Sequence, residues 1–218
     1  MKCIILTFAL ISISLTSCKK ENITGEGPVQ TQQRMVANFH QVFASGASKI
    51  FITKGDQVSV TVKAFGTLLP YLETTVSKGV LKIAFKDNTR VRNDNSEIFI
   101  TMPSFDALTT EGSGSITITG DFSGSSNFDL QISGSSDVSL EKGSSKVFSA
   151  TIEGSGDLKA FGFEAEEASV KISGSGNTEI AVSKKLDVKI YGSGNVYYKG
   201  NPTIVDSDIS GSGKVISQ

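Results

Sequence analysis

The stretch "IEGSGDLKA" (152–160) returns as "ISGSGNTEI" (172–180), "IYGSGNVYY" (190–198) and "ISGSGKVIS" (209–217). A glycine-rich turn suits a phosphate group when it opens a helix. Here an alternating, strand-like run follows each glycine pair, so the phosphate reading fails on context. Recurrence at a fixed period points to architecture. Aligned on the first glycine, the motif sits at Gly112, Gly134, Gly154, Gly174, Gly192 and Gly211, with spacings of 22, 20, 20, 18 and 19 residues.

The neighbouring columns carry the pattern. Two residues ahead of the glycine stand Thr110, Ile132, Ile152, Ile172, Ile190 and Ile209, and four ahead stand Leu108, Leu130, Ala150, Val170, Val188 and Ser207. Four residues after it come Ile116, Val138, Leu158, Thr178, Val196 and Val215. The positions between are mostly polar, and alternation with period two means strands with one buried face. The expected fold is all-β, a parallel β-helix or β-solenoid of about 20 residues per coil. One coil cannot enclose its own apolar face, but stacked coils can. Each buried aliphatic contributes about 1.5–3 kcal/mol. The corner depends on its first glycine, which admits φ > 0. The second glycine is not invariant, since Ser136 replaces it, while the intervening serines are expected to form a hydroxyl ladder.

The N-terminal part is less regular. "VFASGASKIFI" (42–52) fits the same columns around Gly46, and the 66 residues from Gly46 to Gly112 correspond to three coils. "GTLLPYLET" (66–74) reads as a helical turn stopped at Pro70, and "KDNTRVRNDNSE" (86–97) as an exposed loop. Residues 36–218 form one domain, irregular first and regular afterwards.

Ahead of that domain, 1–17 reads as a signal peptide: a basic start, then the apolar "CIILTFALISISL" (3–15), too short to span a bilayer as a helix. "LTSC" (15–18) resembles the bacterial lipobox, which makes Cys18 the lipidation site and leaves the mature chain without a thiol for a disulfide or zinc site. Lipoproteins of this type resemble one another in carrying three acyl chains, a durable membrane anchor. Residues 18–35 read as the lipidated cysteine and a flexible polar tether. "CKKE" partly resembles a surface-export signal of Gram-negative lipoproteins. The expected location is the cell envelope, as an outer-membrane lipoprotein, either periplasmic or surface-exposed. Net charge is −1 and only Arg34, Arg90 and Arg92 are arginines. No basic field argues for nucleic acid.

"GASKIFITKGDQVSVTVKA", "LLPYLETTVSKGVLKI" and the row of "GSG" corners resemble the auto-transporter adhesin head GIN domain family, over nearly all of 36–218. The resemblance implies an all-β stack of the parallel β-helix type with an adhesion-like role, and it supplies no catalytic residues.

Several residues remain as candidates for chemistry. His40 is the only histidine and has no partners at ligand spacing. The column Ser115, Asp137, Asp157, Asn177, Asn195 and Lys214 could chelate calcium, or serve the turns by local hydrogen bonding. Neither a metal nor a cofactor is expected. Asp187, Lys189, Asp206 and Asp208 should share one outer face of the last coils, as surface ion pairs or as the acid/base pair of a glycan-active lyase or hydrolase. Phe161, Phe163, Tyr191 and Tyr197 are expected outside or near corners, where Phe161, Tyr191 and Tyr197 could stack on a sugar or meet a partner. The last rung, ending "GKVISQ" (213–218), looks open and invites a homo-oligomer. The leading expectation is a non-enzymatic, lipid-anchored solenoid binding a glycan or surface protein. A glycan-active enzyme and a structural envelope spacer stand beside it.

Overall fold

The computed structural model describes residues 20–218, so Cys18 and the signal segment lie outside the described residues. In the first half run β1 (Glu21–Thr24), β2 (Val29–Arg34), β3 (Gln41–Gly46), β4 (Lys49–Lys54), β5 (Ser59–Phe65), β6 (Leu72–Ser77), β7 (Val80–Phe85), β8 (Thr89–Arg92) and β9 (Glu97–Met102). The regular half follows with β10 (Ala107–Gly112), β11 (Ser115–Thr119), β12 (Phe122–Gly134), β13 (Asp137–Leu140), β14 (Gly143–Gly154), β15 (Leu158–Gly174), β16 (Thr178–Gly192), β17 (Val196–Lys199), β18 (Ile204–Gly211) and β19 (Val215–Ser217). No helix occurs among the described residues.

From β10 onward the chain winds as a parallel solenoid of about 20 residues per coil. Ahead of the corner, Ile132, Ile152, Ile172 and Ile190 are mutually in register and completely buried. Beyond the corner, Leu158, Thr178, Val196 and Val215 are likewise in register. A third side completes each coil, with Phe122, Gly143 and Phe163 aligned, followed by Ser125, Ser145, Ala165 and Val182. Inside, Phe105, Phe122, Phe128, Phe148 and Phe163 pack with ring centroids 5.1–5.7 Å apart. Phe163, expected outside, is buried in this cluster. The bend at Phe161–Gly162 inserts a residue into the alternation, and β15 shifts register there.

The corner column shows why glycine is required. Gly174 and Gly192 have φ of 140° and 141°. A Cβ on either would lie 2.1 or 2.2 Å from the carbonyl oxygen of the corner glycine one coil below. The second glycines have no positive φ but the same crowding, since a Cβ on Gly176 would lie 2.1 Å from the Gly156 carbonyl. Ser136 breaks that column and Thr110 breaks the isoleucine column. These two departures answer each other, because the buried Thr110 hydroxyl donates to Ser136 Oγ at 3.1 Å.

The irregular half is not three further coils. Gly46 registers directly with Gly112, and Lys49–Thr53 with Ser115–Thr119. On their other side β3 and β4 pair in parallel with β7 and β9. The coil written first is therefore second in the stack, and residues 55–106 fold back to form the head. There β5 runs antiparallel between β2 and β9, β6 runs antiparallel to β7, and Leu68, Leu69 and Leu72 are buried. A turn is present at 66–71, but it runs past Pro70, with Leu72 N–H donating to the Leu68 carbonyl at 3.1 Å, and 72–74 already belong to β6.

Two expectations fail here. Residues 18–35 were expected as a flexible tether, yet within them β2 joins the head sheet and β1 pairs with β8. The 86–97 segment, expected as a loop, contains β8. Strand β2 shows no apolar alternation because its outer positions are exposed and polar. Its order comes from the backbone ladder to β5 and from Arg34 Nη2, which donates to the Leu69 carbonyl at 3.0 Å.

Candidate functional site

The β-pleat brings most of the expected surface residues together. Asp187, Lys189 and Tyr191 alternate outward along β16. In register on β18 lie Asp206 against Asp187, Asp208 against Lys189 and Ser210 against Tyr191. Successive rungs of a sheet stand about 4.8 Å apart, so this is a ladder of side chains on an open face. Lys189 makes no ion pair within 4.0 Å among the described residues. The pairs present are Lys63–Glu97, Lys142–Asp121 and Lys184–Glu166. The expected Lys189 ion pairs are thus not formed among the described residues.

Tyr197 is separated from this face. It stands beyond the corner on β17, between Glu179 and Ile216. Phe161 is half-buried, with Lys199 Nζ 4.3 Å from its ring centroid. Its face is covered by a cation, which leaves less of it for a sugar. Of the aromatic candidates, Tyr191 is the one that stands well out, 45% exposed.

The Asp/Asn column has a structural job. Asp157 N–H donates to Asp137 Oδ1 at 3.1 Å, Asn177 N–H to Asp157 Oδ1 at 2.7 Å, Asn195 N–H to Asn177 Oδ1 at 3.1 Å and Lys214 N–H to Asn195 Oδ1 at 3.1 Å. Each side chain thus caps the backbone of the next coil, which is the local hydrogen-bonding reading. The serine ladder reduces to one contact, Ser193 Oγ to Ser212 Oγ at 3.1 Å. Among the described residues no three His, Cys, Asp or Glu side chains converge on a metal position. His40 is half-buried with its ring against Gly79, in a cleft of about 600 Å³ that also contains Asp56.

One outward feature escaped the column reading. Phe51 and Phe99 stack with centroids 5.1 Å apart and planes 13° from parallel, and Phe99 is 41% exposed. The signal was present: "IFIT" occurs at 50–53 and again at 98–101, and the two copies are in register. Beside them Lys63 Nζ meets Glu97 Oε2 at 2.8 Å and holds the Glu97 carboxyl below its ordinary range. A second cleft, of about 490 Å³, separates β8 from the corner at Gly46 and Gly112.

Several solved structures share this fold. A putative adhesin from Bacteroides fragilis aligns with a TM-score of 0.73 at 20% identity, over 90% of this chain and 100% of its own. A protein titled a putative lipid binding protein, from Parabacteroides distasonis, gives 0.64 at 24% identity over 91% and 100%. A putative adhesin from Parabacteroides merdae gives 0.55 at 18% over 91% and 99%. At these identities the likeness concerns the fold. No curated protein sequence matches the chain. Residues 38–202 match the family described as "Putative auto-transporter adhesin, head GIN domain", and the chain belongs to that family.

Proposed function

We propose that this protein is a non-enzymatic binding module of the bacterial cell envelope, held to the membrane through Cys18, that engages a glycan or a surface protein with the outer faces of its coils. The observation that carries the reading is the stacked, solvent-facing Phe51–Phe99 pair on a rigid sheet. Two rings stacked on each other by in-register strands cover one face of each and leave a narrow apolar platform of ring edges and outer faces at little entropic cost. Such platforms suit the apolar faces of pyranose rings or an apolar patch on a protein. The flanking Lys63–Glu97 pair supplies polar groups at its rim. Membership of an adhesin family supports the same reading.

A glycan array probed with the protein tests it. Binding that falls at least about tenfold in the Phe51→Ser/Phe99→Ser variant supports the platform. Binding unchanged by that substitution moves the site elsewhere, and no binding to glycans or intact cells contradicts the reading. Protease accessibility on intact cells separates surface from periplasmic display. Lipidation is checked by the mass of the mature N-terminus, with Cys18→Ser as the unmodified control.

A further inference from the structure

One corner of the stack is unlike the rest. At each regular corner the serine after the first glycine, from Ser113 to Ser212, donates its N–H to the glycine carbonyl of the adjoining coil at 2.7–3.0 Å. A Cβ on any of those glycines would lie 2.1–2.4 Å from the same oxygen. The Cβ direction of the glycine and the N–H that follows it thus converge on one acceptor. Gly46 has a φ of 118°, within the range of the other corners, but a Cβ there would meet nothing within 4 Å. Ala47 stands in the serine position, and its N–H has no acceptor among the described residues.

The cause is local to the head. Strand β3 registers with β7 only as far as Ala44 against Ile83, and β4 registers with β9 from Lys49 against Glu97. Between β7 and β9 the short corner is replaced by residues 86–96, which swing out and form β8. Between that excursion and Gly46 lies the cleft of about 490 Å³, a volume that suits a small ligand. Ser45, Gly46 and Ala47 line one side of it, and Phe85 to Asn88 line the other.

The lining selects the class of ligand. Its charged members are Lys86, Asp87 and Asp94, a net negative set that disfavours a phosphate or carboxylate. Asp94 is already engaged, taking the Ser96 N–H at 2.9 Å and the Ser48 hydroxyl at 3.3 Å. The side chains of Asp87 and Asn88 are exposed and make no hydrogen bond among the described residues. The cleft therefore offers a backbone donor, a carboxylate acceptor and an amide that does both, beside the half-buried Phe85 and Val91. A hydroxyl accepts at its oxygen while donating its own proton, and the C–H face of a pyranose suits an aromatic side chain.

We infer that this cleft binds one neutral hexopyranose unit, with one sugar hydroxyl oxygen accepting from Ala47 N–H and a neighbouring hydroxyl donating to Asp87. The sugar oxygen then takes the position that a glycine carbonyl holds at every other corner. The site is separate from the Phe51–Phe99 platform and does not rest on it.

The test is amide NMR of the full chain in mild detergent, titrated with glucose, galactose, mannose and N-acetylglucosamine, and with sodium acetate and phosphate as anionic controls. At least one sugar should shift the Ala47 amide and those of 86–88, with a dissociation constant of about 1–10 mM. Ser45→Tyr places a ring at the mouth of the cleft, in a column that already holds Tyr191. It should weaken binding at least about tenfold, and Asp87→Ala, on an exposed turn, should do the same, at about tenfold. Unchanged amide dispersion without sugar confirms that each variant is folded. No response of Ala47 to any sugar overturns the inference, as do shifts that survive both substitutions. Sugar shifts confined to Phe51, Phe99 and their neighbours overturn it while supporting the platform. A response to acetate or phosphate alone overturns it in favour of an anion.

Discussion

The head and the tail of this solenoid are built from the same kind of strand, yet they face solvent differently. At the head the parallel ladder is turned into antiparallel pairs, β9 to β5 to β2, and its last strand is polar after Val29. Three leucines close the interior beneath it. In the last described coil Val205 and Ile209, which occupy interior columns, are 41% and 39% exposed. A parallel stack adds one more coil at nearly constant gain, so the repeat contains nothing that ends it. Termination must be encoded by sequence that breaks the repeat. The irregular half of this chain is that sequence.

The comparison is broken most severely in the corner column. Gly174→Val, in the middle, meets both the positive φ and the carbonyl below and should cost about 3–5 kcal/mol or prevent folding. Gly211→Val, with nearly the same φ and the same crowding from the coil below, should cost about half as much, because no further coil among the described residues holds its rung down. Urea titration of both variants checks the ratio; equal losses would mean that the last coil is as fixed as the middle. Next in size, Ile152→Ala removes a completely buried side chain and should cost about 3–4 kcal/mol, against less than about 1 kcal/mol for Ile209→Ala.

The regular half was legible because its chemistry repeats. Interior columns at a spacing near twenty define strands, corner and stacking together, and the buried isoleucines follow. The head was not legible for a physical reason. Its strands β1, β2 and β8 bury little, so an apolar alternation is missing from "ENIT" and "VQTQQR" and too short to read in "TRVR". Stacking order is also not sequence order, and nothing in the spacing from Gly46 to Gly112 says that these glycines are neighbours. At the candidate site, the cluster of Asp187, Lys189, Asp206 and Asp208 followed from the repeat. Phe51 and Phe99 did not, because an aromatic in an outward column looks like noise until its registered partner is known.

Smaller effects sharpen the picture. Thr110→Val leaves the buried Ser136 hydroxyl without its partner and should cost about 1–2 kcal/mol. Thr110→Ile with Ser136→Gly restores the repeat at both columns, and a double-mutant cycle should show coupling of about 1 kcal/mol. Smallest is an acid effect at the head. The Lys63 ammonium beside Glu97 holds that carboxyl below its ordinary range in the folded state. A carboxyl with a depressed folded pKa contributes stability above its unfolded pKa and loses it as pH falls through the folded value. The wild-type midpoint should therefore drop slightly more than that of Glu97→Gln below pH about 4.5, and 0.5 M salt should shrink the difference.

Hydrogen exchange followed by mass spectrometry tests the contrast between the covered head and the exposed last coil most directly. Peptides from 204–217 should exchange first, those from 178–199 next, and those from 41–65, 97–119 and 128–174 last, because opening proceeds from the exposed last coil. Exchange that begins at β5 and β9 while β18 stays protected would contradict it.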